Sequence, residues 1–99
     1  MRKYSVSRAA QSDMRAIAKY IVEKWGAEQA IRYAKDLERC FQLLAERPEM
    51  GRECVEIDTG LHRHELGKHV VFYPLKQGGI RVVRVLHHQM MPMKSRFES

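Results

Sequence analysis

The sequence predicts an α+β domain in which an N-terminal helical hairpin packs on one face of an antiparallel sheet of three to four strands, in the order βααβββ. Two amphipathic helical patterns meet at a glycine, and a nearly uninterrupted apolar hairpin pattern follows from Lys68 to His88. The 99 residues suit a single domain spanning 1–99. We expect its core at about residues 4–88 and a flexible tail at 89–99.

The first half of the chain has the signals of one short strand and two helices. Tyr4 to Ser7 alternates like a strand, and Ser7 is placed to cap the helix that follows. Apolar residues recur at steps of three and four from Ala10 to Trp25, and again from Ala30 to Leu44. Gly26 separates the two patterns, and so short a connection permits only an antiparallel helical hairpin.

The second half of the chain has the signals of strands. Pro48 to Gly60 is polar and predicts a loop, whereas Leu61 to Leu66 alternates weakly and predicts a strand. The hairpin has Val70 to Tyr73 on one arm and Ile80 to Leu86 on the other, with its turn at Lys76 to Gly79. Both arms are apolar at adjacent positions, which is typical of strands that are covered on both faces.

The composition favours acidic partners. Lys and Arg number 18 against 12 Asp and Glu, which gives a net charge of +6. Such a balance suits nucleic acid, an acidic protein or an anionic surface. No apolar run approaches the roughly 20 residues that cross a bilayer, and no signal-like segment is present, so we expect a cytoplasmic protein. Cys40 and Cys54 are predicted to be free thiols, with Cys40 buried.

A series of positions along the chain, most of them packing residues, has the order and spacing of a known family. These positions are Ser7, Ala10, Asp13, Ile17, Tyr20, Trp25-Gly26, Gln29-Ala30, Tyr33, Leu43 to Glu46, Pro48, Gly51, His69 to Tyr73 and Arg84 to His87. In this order the chain, from about Tyr4 to Met91, resembles the ParE branch of the RelE/ParE toxin superfamily of bacterial type II toxin–antitoxin systems.

The resemblance implies a growth-inhibiting toxin that binds and poisons DNA gyrase. It also implies a cognate ParD-like antitoxin with an acidic segment, which neutralises the toxin in a hetero-oligomer and links it only indirectly to operator DNA. No cofactor and no membrane partner are implied. RelE-like relatives cleave messenger RNA on the ribosome instead, and fold alone does not separate the two activities. A third alternative is a non-toxic member that acts only in the repressor complex.

A ribonuclease would need a general base, an acid and cations that hold the phosphate. The candidates for these roles are His87, His88, Arg81, Arg63 and Glu65. The chain offers no tyrosine after His88, and its arginines would serve an acidic protein partner equally well. We therefore expect a protein that is not an enzyme, with a RelE-like ribonuclease as the alternative.

Other residues are candidates for contact with the antitoxin or the target. They are Arg63, Arg81, Arg84, His87, Met90, Met91, Lys94, Arg96 and Trp25. The arginines would pair with carboxylates, and the methionines suit adaptable protein contacts. For Trp25, at the corner of the helical hairpin, packing in the core is the favoured interpretation. His62 and His64 share one side of a strand, but no Cys or carboxylate spacing supports them, and no metal site is expected.

Overall fold

The computed structural model describes residues 2–88 and confirms the α+β class. The elements are β1 (Lys3–Val6), α1 (Arg8–Trp25), α2 (Ala27–Glu46), a 3₁₀ turn (Pro48–Met50), β2 (Arg52–Glu53), β3 (Leu61–Leu66), β4 (His69–Lys76), β5 (Gly79–Val82) and β6 (Arg84–His87). Ser7 caps α1 as predicted, because its Oγ accepts a hydrogen bond from the Ala10 amide at 3.0 Å. Gly26 has a φ of +97°, which lets α2 begin directly after α1.

The sheet is larger than the three to four antiparallel strands expected, and it is mixed. Its order is β1-β5-β4-β3-β2, and β6 continues along the same edge of β4 as β5. β1 lies parallel to β5, with Lys3 opposite Gly79, whereas the other pairs are antiparallel. The long stretch between β1 and β5 supplies the connection that a parallel pair requires. The loop expected over Pro48 to Gly60 contains β2, which is too short to have a periodic signal.

The second arm of the predicted hairpin is interrupted at Val83. Ile80 in β5 lies opposite Leu75, whereas Arg84 in β6 lies opposite Phe72, so the register with β4 shifts by one residue between the two strands. The Val83 amide donates to the Phe72 carbonyl at 2.9 Å. One extra residue on one strand is a β-bulge, which bends the strand and reassigns side chains between faces. After this bulge, β6 runs beside α1.

Each face of the sheet carries its own apolar cluster, as the composition of the hairpin predicts. The helical face buries Ala10, Leu37, Cys40, Phe41, Leu44, Ala45, Val71, Tyr73, Ile80, Val82 and Val85. The opposite face, here called the outer face, buries Cys54, Ile57, Leu61, Val70, Phe72 and Leu86. Both cysteines are therefore buried, and they are free thiols as expected.

Some expectations about the chain ends stay predictions. The tail at 89–99, with Met90, Met91, Lys94 and Arg96, lies outside the described residues, and the single-domain boundary of 1–99 is untested. Within residues 2–88, neither helix is long and apolar enough to cross a membrane.

Candidate functional site

An ion pair between α1 and β6 fixes one edge of the sheet. The Asp13 carboxylate accepts hydrogen bonds from Nε and Nη2 of Arg84, each at 2.8 Å, and from the Val85 amide at 2.9 Å. The Arg84 and Asp13 side chains are only 19% and 13% exposed. The hydrogen bonds that Arg84 donates to Asp13 raise the pKa of Arg84, as does the negative charge of Asp13, against the opposing effect of burial. Arg84, a candidate for partner contact, is thus engaged within the fold.

A groove runs beside this ion pair, between α1 and β6. It encloses about 480 Å³ and is lined by Asp13, Ala16, Ile17, Tyr20, His69, Val85, Leu86 and His87. Among residues 2–88, β6 pairs with β4 alone, and the Val85 amide on its other edge is met by the Asp13 side chain. An unpaired strand edge beside an apolar groove is a site where an extended peptide can add to a sheet.

A second depression continues from this groove toward the corner of the helical hairpin. It encloses about 410 Å³ and is lined by Tyr20, Ile21, Trp25, Gln29, Tyr33, Gly67, Lys68, His69 and His87. Because Tyr20, His69 and His87 line both depressions, we treat them as one surface, the α1–β6 groove. Trp25 and Tyr20 are 74% and 58% exposed at its rim. The interpretation of Trp25 as a core residue is wrong, because Ile17 is the last α1 residue that packs against the core cluster and Trp25 lies about two turns beyond it.

A row of histidines forms the floor of the groove near β4. The Tyr33 hydroxyl lies 3.1 Å from the Leu66 carbonyl oxygen and 2.6 Å from Nδ1 of His69, so it is hydrogen-bonded to both groups. The His69 ring meets His87 edge-on at 5.5 Å, and His87 stacks on His88 at 4.6 Å. Burial, together with the neighbouring imidazoles, lowers the pKa of His69. The ring is therefore neutral at pH 7.

The sheet divides the ribonuclease candidates between its two faces. His87 lies opposite His69 on the helical face. Arg63 lies opposite Phe72 on the outer face, with its guanidinium over the Phe72 ring at 5.7 Å, and Glu65 shares that face. Arg81 is on the outer face as well. A general base must come within hydrogen-bond reach of the proton that it removes. His87 is thus placed on the wrong side of the sheet to act on a phosphate held by these arginines.

The other candidates have separate surroundings. His88 follows β6, and its Nδ1 lies 3.1 Å from the Lys68 carbonyl oxygen. Arg81 donates from Nη1 to Ser5 Oγ at 3.3 Å. Nε of Arg63 is buried and has no hydrogen-bond partner among the described residues. Within residues 2–88, no group of three His, Cys, Asp or Glu side chains is arranged to hold a metal ion.

Sequence reasoning did not identify several residues that form the groove. Asp13, Tyr20, Tyr33 and His69 appeared among the positions of the family resemblance, and Lys68 as the first residue of the predicted hairpin pattern, but none was a candidate for partner contact. Asp13 and Arg84 are separated by 71 positions, so no local spacing could have paired them. The one signal of this pairing in the sequence was the Asp13 carboxylate itself, which lies early in a helix and has no cationic side chain three or four residues away.

Comparison with known proteins places the chain among toxins. A family model described as the ParE toxin of the type II toxin–antitoxin system parDE matches residues 4–92. Toxin ParE1 of Caulobacter vibrioides is 40% identical over 92 residues, covering 91% of this chain and 93% of that protein. Toxin ParE1 of Mycobacterium tuberculosis is 37% identical over 89 residues, covering 89% and 91%. A chain from the solved chromosomal ParDE system of P. aeruginosa shares the fold, with a TM-score of 0.73 at 22% identity over 88% of this chain and 96% of that one.

Replacing Asp13 with Ala should destabilise the protein by about 2–4 kcal/mol, because a largely buried guanidinium would lose its charged partner. The free energy of unfolding from urea titration measures this loss. The matched control is Asp36→Ala, which removes the carboxylate that lies 3.6 Å from Arg39 on the exposed side of α2. The control should cost less than about 1 kcal/mol. Equal losses in the two variants would contradict a structural role for the Asp13–Arg84 pair.

The lowered pKa of His69 predicts that the protein loses stability in mild acid. The unfolded chain takes up a proton at this histidine near its ordinary pKa of 6.5, whereas folded His69 resists protonation to lower pH. The free energy of unfolding is thus unaffected by this group well above its ordinary pKa and decreases as the pH falls below it, by at most about 1.4 kcal/mol per pH unit. Unfolding titrations between pH 8 and 5 measure this slope.

The variant His69→Gln should show a smaller slope over the same range of pH. His62→Gln is the control, because it removes an imidazole that contacts Tyr73 rather than the other histidines. If His69→Gln kept the full slope, the pH dependence would come from another group.

Proposed function

The chain belongs to the ParE toxin family of type II toxin–antitoxin systems, and we propose that it inhibits growth by binding and poisoning DNA gyrase. ParE toxins are not classical enzymes, and this protein accordingly acts by binding. The separation of His87 from Arg63 and Arg81 by the sheet is the observation that best supports binding over RNA cleavage. Gyrase acts inside the bacterial cell, so the proposal also places the protein in the cytoplasm.

Membership of a toxin–antitoxin family also implies an antitoxin partner. We propose that this partner is a ParD-like protein and that it occupies the α1–β6 groove. Ile17 and Tyr20 offer an apolar wall for a helix or an extended segment, and the free edge of β6 offers backbone hydrogen bonds. Lys68 at the rim favours acidic side chains on the partner. Operator DNA would then be reached through the antitoxin.

Three activities can be distinguished by two assays on the purified protein. Gyrase poisoning predicts that the protein stops DNA supercoiling and that cleaved plasmid accumulates in the presence of gyrase and ATP. Messenger RNA in a translating extract should stay intact. The unrelated topoisomerase I is the matched control enzyme, and its relaxation of the same plasmid should be unaffected.

Two results would contradict the proposal. Cleaved messenger RNA beside normal supercoiling would establish the ribonuclease alternative, and His87→Ala should then abolish the cutting. An inert protein in both assays, together with normal growth of cells that express it alone, would establish a member that acts only in the repressor complex.

Truncation of the groove aromatics should weaken antitoxin binding. The double variant Tyr20→Ala/Trp25→Ala removes two exposed aromatic rings of the kind that anchor interfaces, each worth about 2 kcal/mol or more. The dissociation constant for the antitoxin, from isothermal titration calorimetry, should rise by at least about 100-fold.

The matched control for this measurement is Val55→Ala, which truncates an exposed apolar side chain in the connection between β2 and β3. Its affinity for the antitoxin should stay within about twofold of the original value. Unchanged affinity of the double aromatic variant would show that the antitoxin binds elsewhere.

A further inference from the structure

The outer face of the sheet carries cations that neither the core nor the α1–β6 groove uses. Lys3 in β1, Arg81 in β5 and Lys76 at the end of β4 lie together at one corner of this face, here called the basic corner. The strand register assigns them to it, because Tyr4 and Ile80 between them point to the helical cluster. No carboxylate among residues 2–88 lies within ion-pair distance of any of the three.

The basic corner has a backbone floor. Gly79 lies opposite both Lys3 and Lys76, so the two lysines stand on either side of a residue without a side chain. Two strand spacings separate them, which is about 10 Å. A Cβ at Gly79 would collide with the Lys3 carbonyl, so the close approach of β1 excludes a side chain from this position. The resulting shallow depression encloses about 410 Å³.

The chemistry of this depression suits phosphate oxygens better than a peptide. Its polar side chains are hydrogen-bond donors, supplied by Lys3, Ser5, Lys76 and Gln77. The apolar residues that border it, Tyr4 and Ile80, pack against the helical cluster. A protein partner would need an apolar anchor pocket, as in the α1–β6 groove, whereas the nucleic-acid backbone presents charged acceptors alone.

The spacing of the cations suits a duplex. Phosphates of the two DNA strands face each other across a minor groove about 6 Å wide, so flexible lysines about 10 Å apart can reach one phosphate on each strand. Arg81 adds a third donor, held in place through Ser5 Oγ at 3.3 Å.

We propose that the basic corner binds the phosphate backbone of duplex DNA without reading its sequence. This surface lies on the opposite face of the sheet from the α1–β6 groove, so both can be occupied at once. In a complex with the antitoxin, the antitoxin would still select the operator sequence, and the basic corner would add contacts to the phosphate backbone. The proposal needs only toxin and DNA, so it stands or falls independently of gyrase.

The test measures binding of the full chain to a fluorescein-labelled 20-base-pair duplex of arbitrary sequence by anisotropy, between 50 and 200 mM NaCl. A dissociation constant of about 10⁻⁶ to 10⁻⁴ M is expected at the higher salt. Three phosphate contacts should give a slope of about −3 for log K against log salt. An unlabelled duplex of different sequence should compete equally well.

The triple variant Lys3→Gln/Lys76→Gln/Arg81→Gln should lose at least about tenfold in affinity at 50 mM NaCl, and its salt slope should fall toward zero. The control variant Arg15→Gln/Lys19→Gln/Lys35→Gln removes the same charge from exposed positions of the helices. It should bind DNA within about threefold of the original chain. The single variant Lys76→Gln, at an exposed strand end, should lose about threefold and reduce the slope by about one, which keeps the test valid if the triple variant is unstable.

Four outcomes would overturn the proposal. The first two are no binding by the unmodified chain at 50 mM NaCl and equal losses in the basic-corner and helical variants. The third is that single-stranded RNA of 20 nucleotides binds at least tenfold more tightly than the duplex, and the fourth is that a poly-glutamate peptide displaces the duplex at lower concentration than unlabelled DNA does. The last result would assign the corner to an acidic protein segment.

Discussion

The contact between Asp13 in α1 and the start of β6 is the interaction on which the rest of the structure depends. One carboxylate accepts two hydrogen bonds from Arg84 and one from the Val85 amide, directly after the bulge at Val83. The bulge bends the strand, and the carboxylate satisfies a backbone donor that would otherwise face an apolar helix. Together they hold the helical hairpin against the sheet at a fixed distance from β6.

This arrangement accounts for the shape and polarity of the α1–β6 groove. Since Asp13 occupies only the first part of the β6 edge, the part near His87 is left beside Tyr20 and the corner of the hairpin. The Tyr33 hydroxyl is hydrogen-bonded to Nδ1 of His69, and burial lowers the pKa of that imidazole and favours its neutral form. The groove is therefore mostly apolar with Lys68 at its rim, a composition that suits an amphipathic partner with acidic residues.

The same sheet separates two kinds of surface. The exposed aromatic rings of the α1–β6 groove, Tyr20 and Trp25, lie on the side of the helices, whereas Lys3, Lys76 and Arg81 lie on the outer face. Because a strand places successive side chains on opposite faces, residues that are close in sequence, such as Ile80 and Arg81, belong to different surfaces. A catalytic set drawn from both faces cannot assemble on one substrate. A binding protein with two partners can use both.

The sequence was sufficient to predict the helices and most of the strands, but not how the strands pair in the sheet. Ser7, Gly26 and the apolar stripes predicted both helices, because caps and periodicity are local signals. The parallel pairing of β1 with β5, the bulge at Val83 and the two-residue strand β2 depend on contacts between distant segments. The bulge is decisive, since a shift of one residue reverses the faces of all the side chains beyond it. The exposure of Trp25 was missed because helical periodicity does not show where the sheet beneath the helix ends.

Hydrogen–deuterium exchange of the free protein and of its complex with the antitoxin tests the central claim most directly. If the α1–β6 groove is the protein-binding surface, the amides of β6 and of the second half of α1 should exchange more slowly in the complex, while those of β1 and β5 should be unchanged. Protection of β1 and β5 without protection of β6 would contradict the division of the two faces, and with it the proposed mode of action.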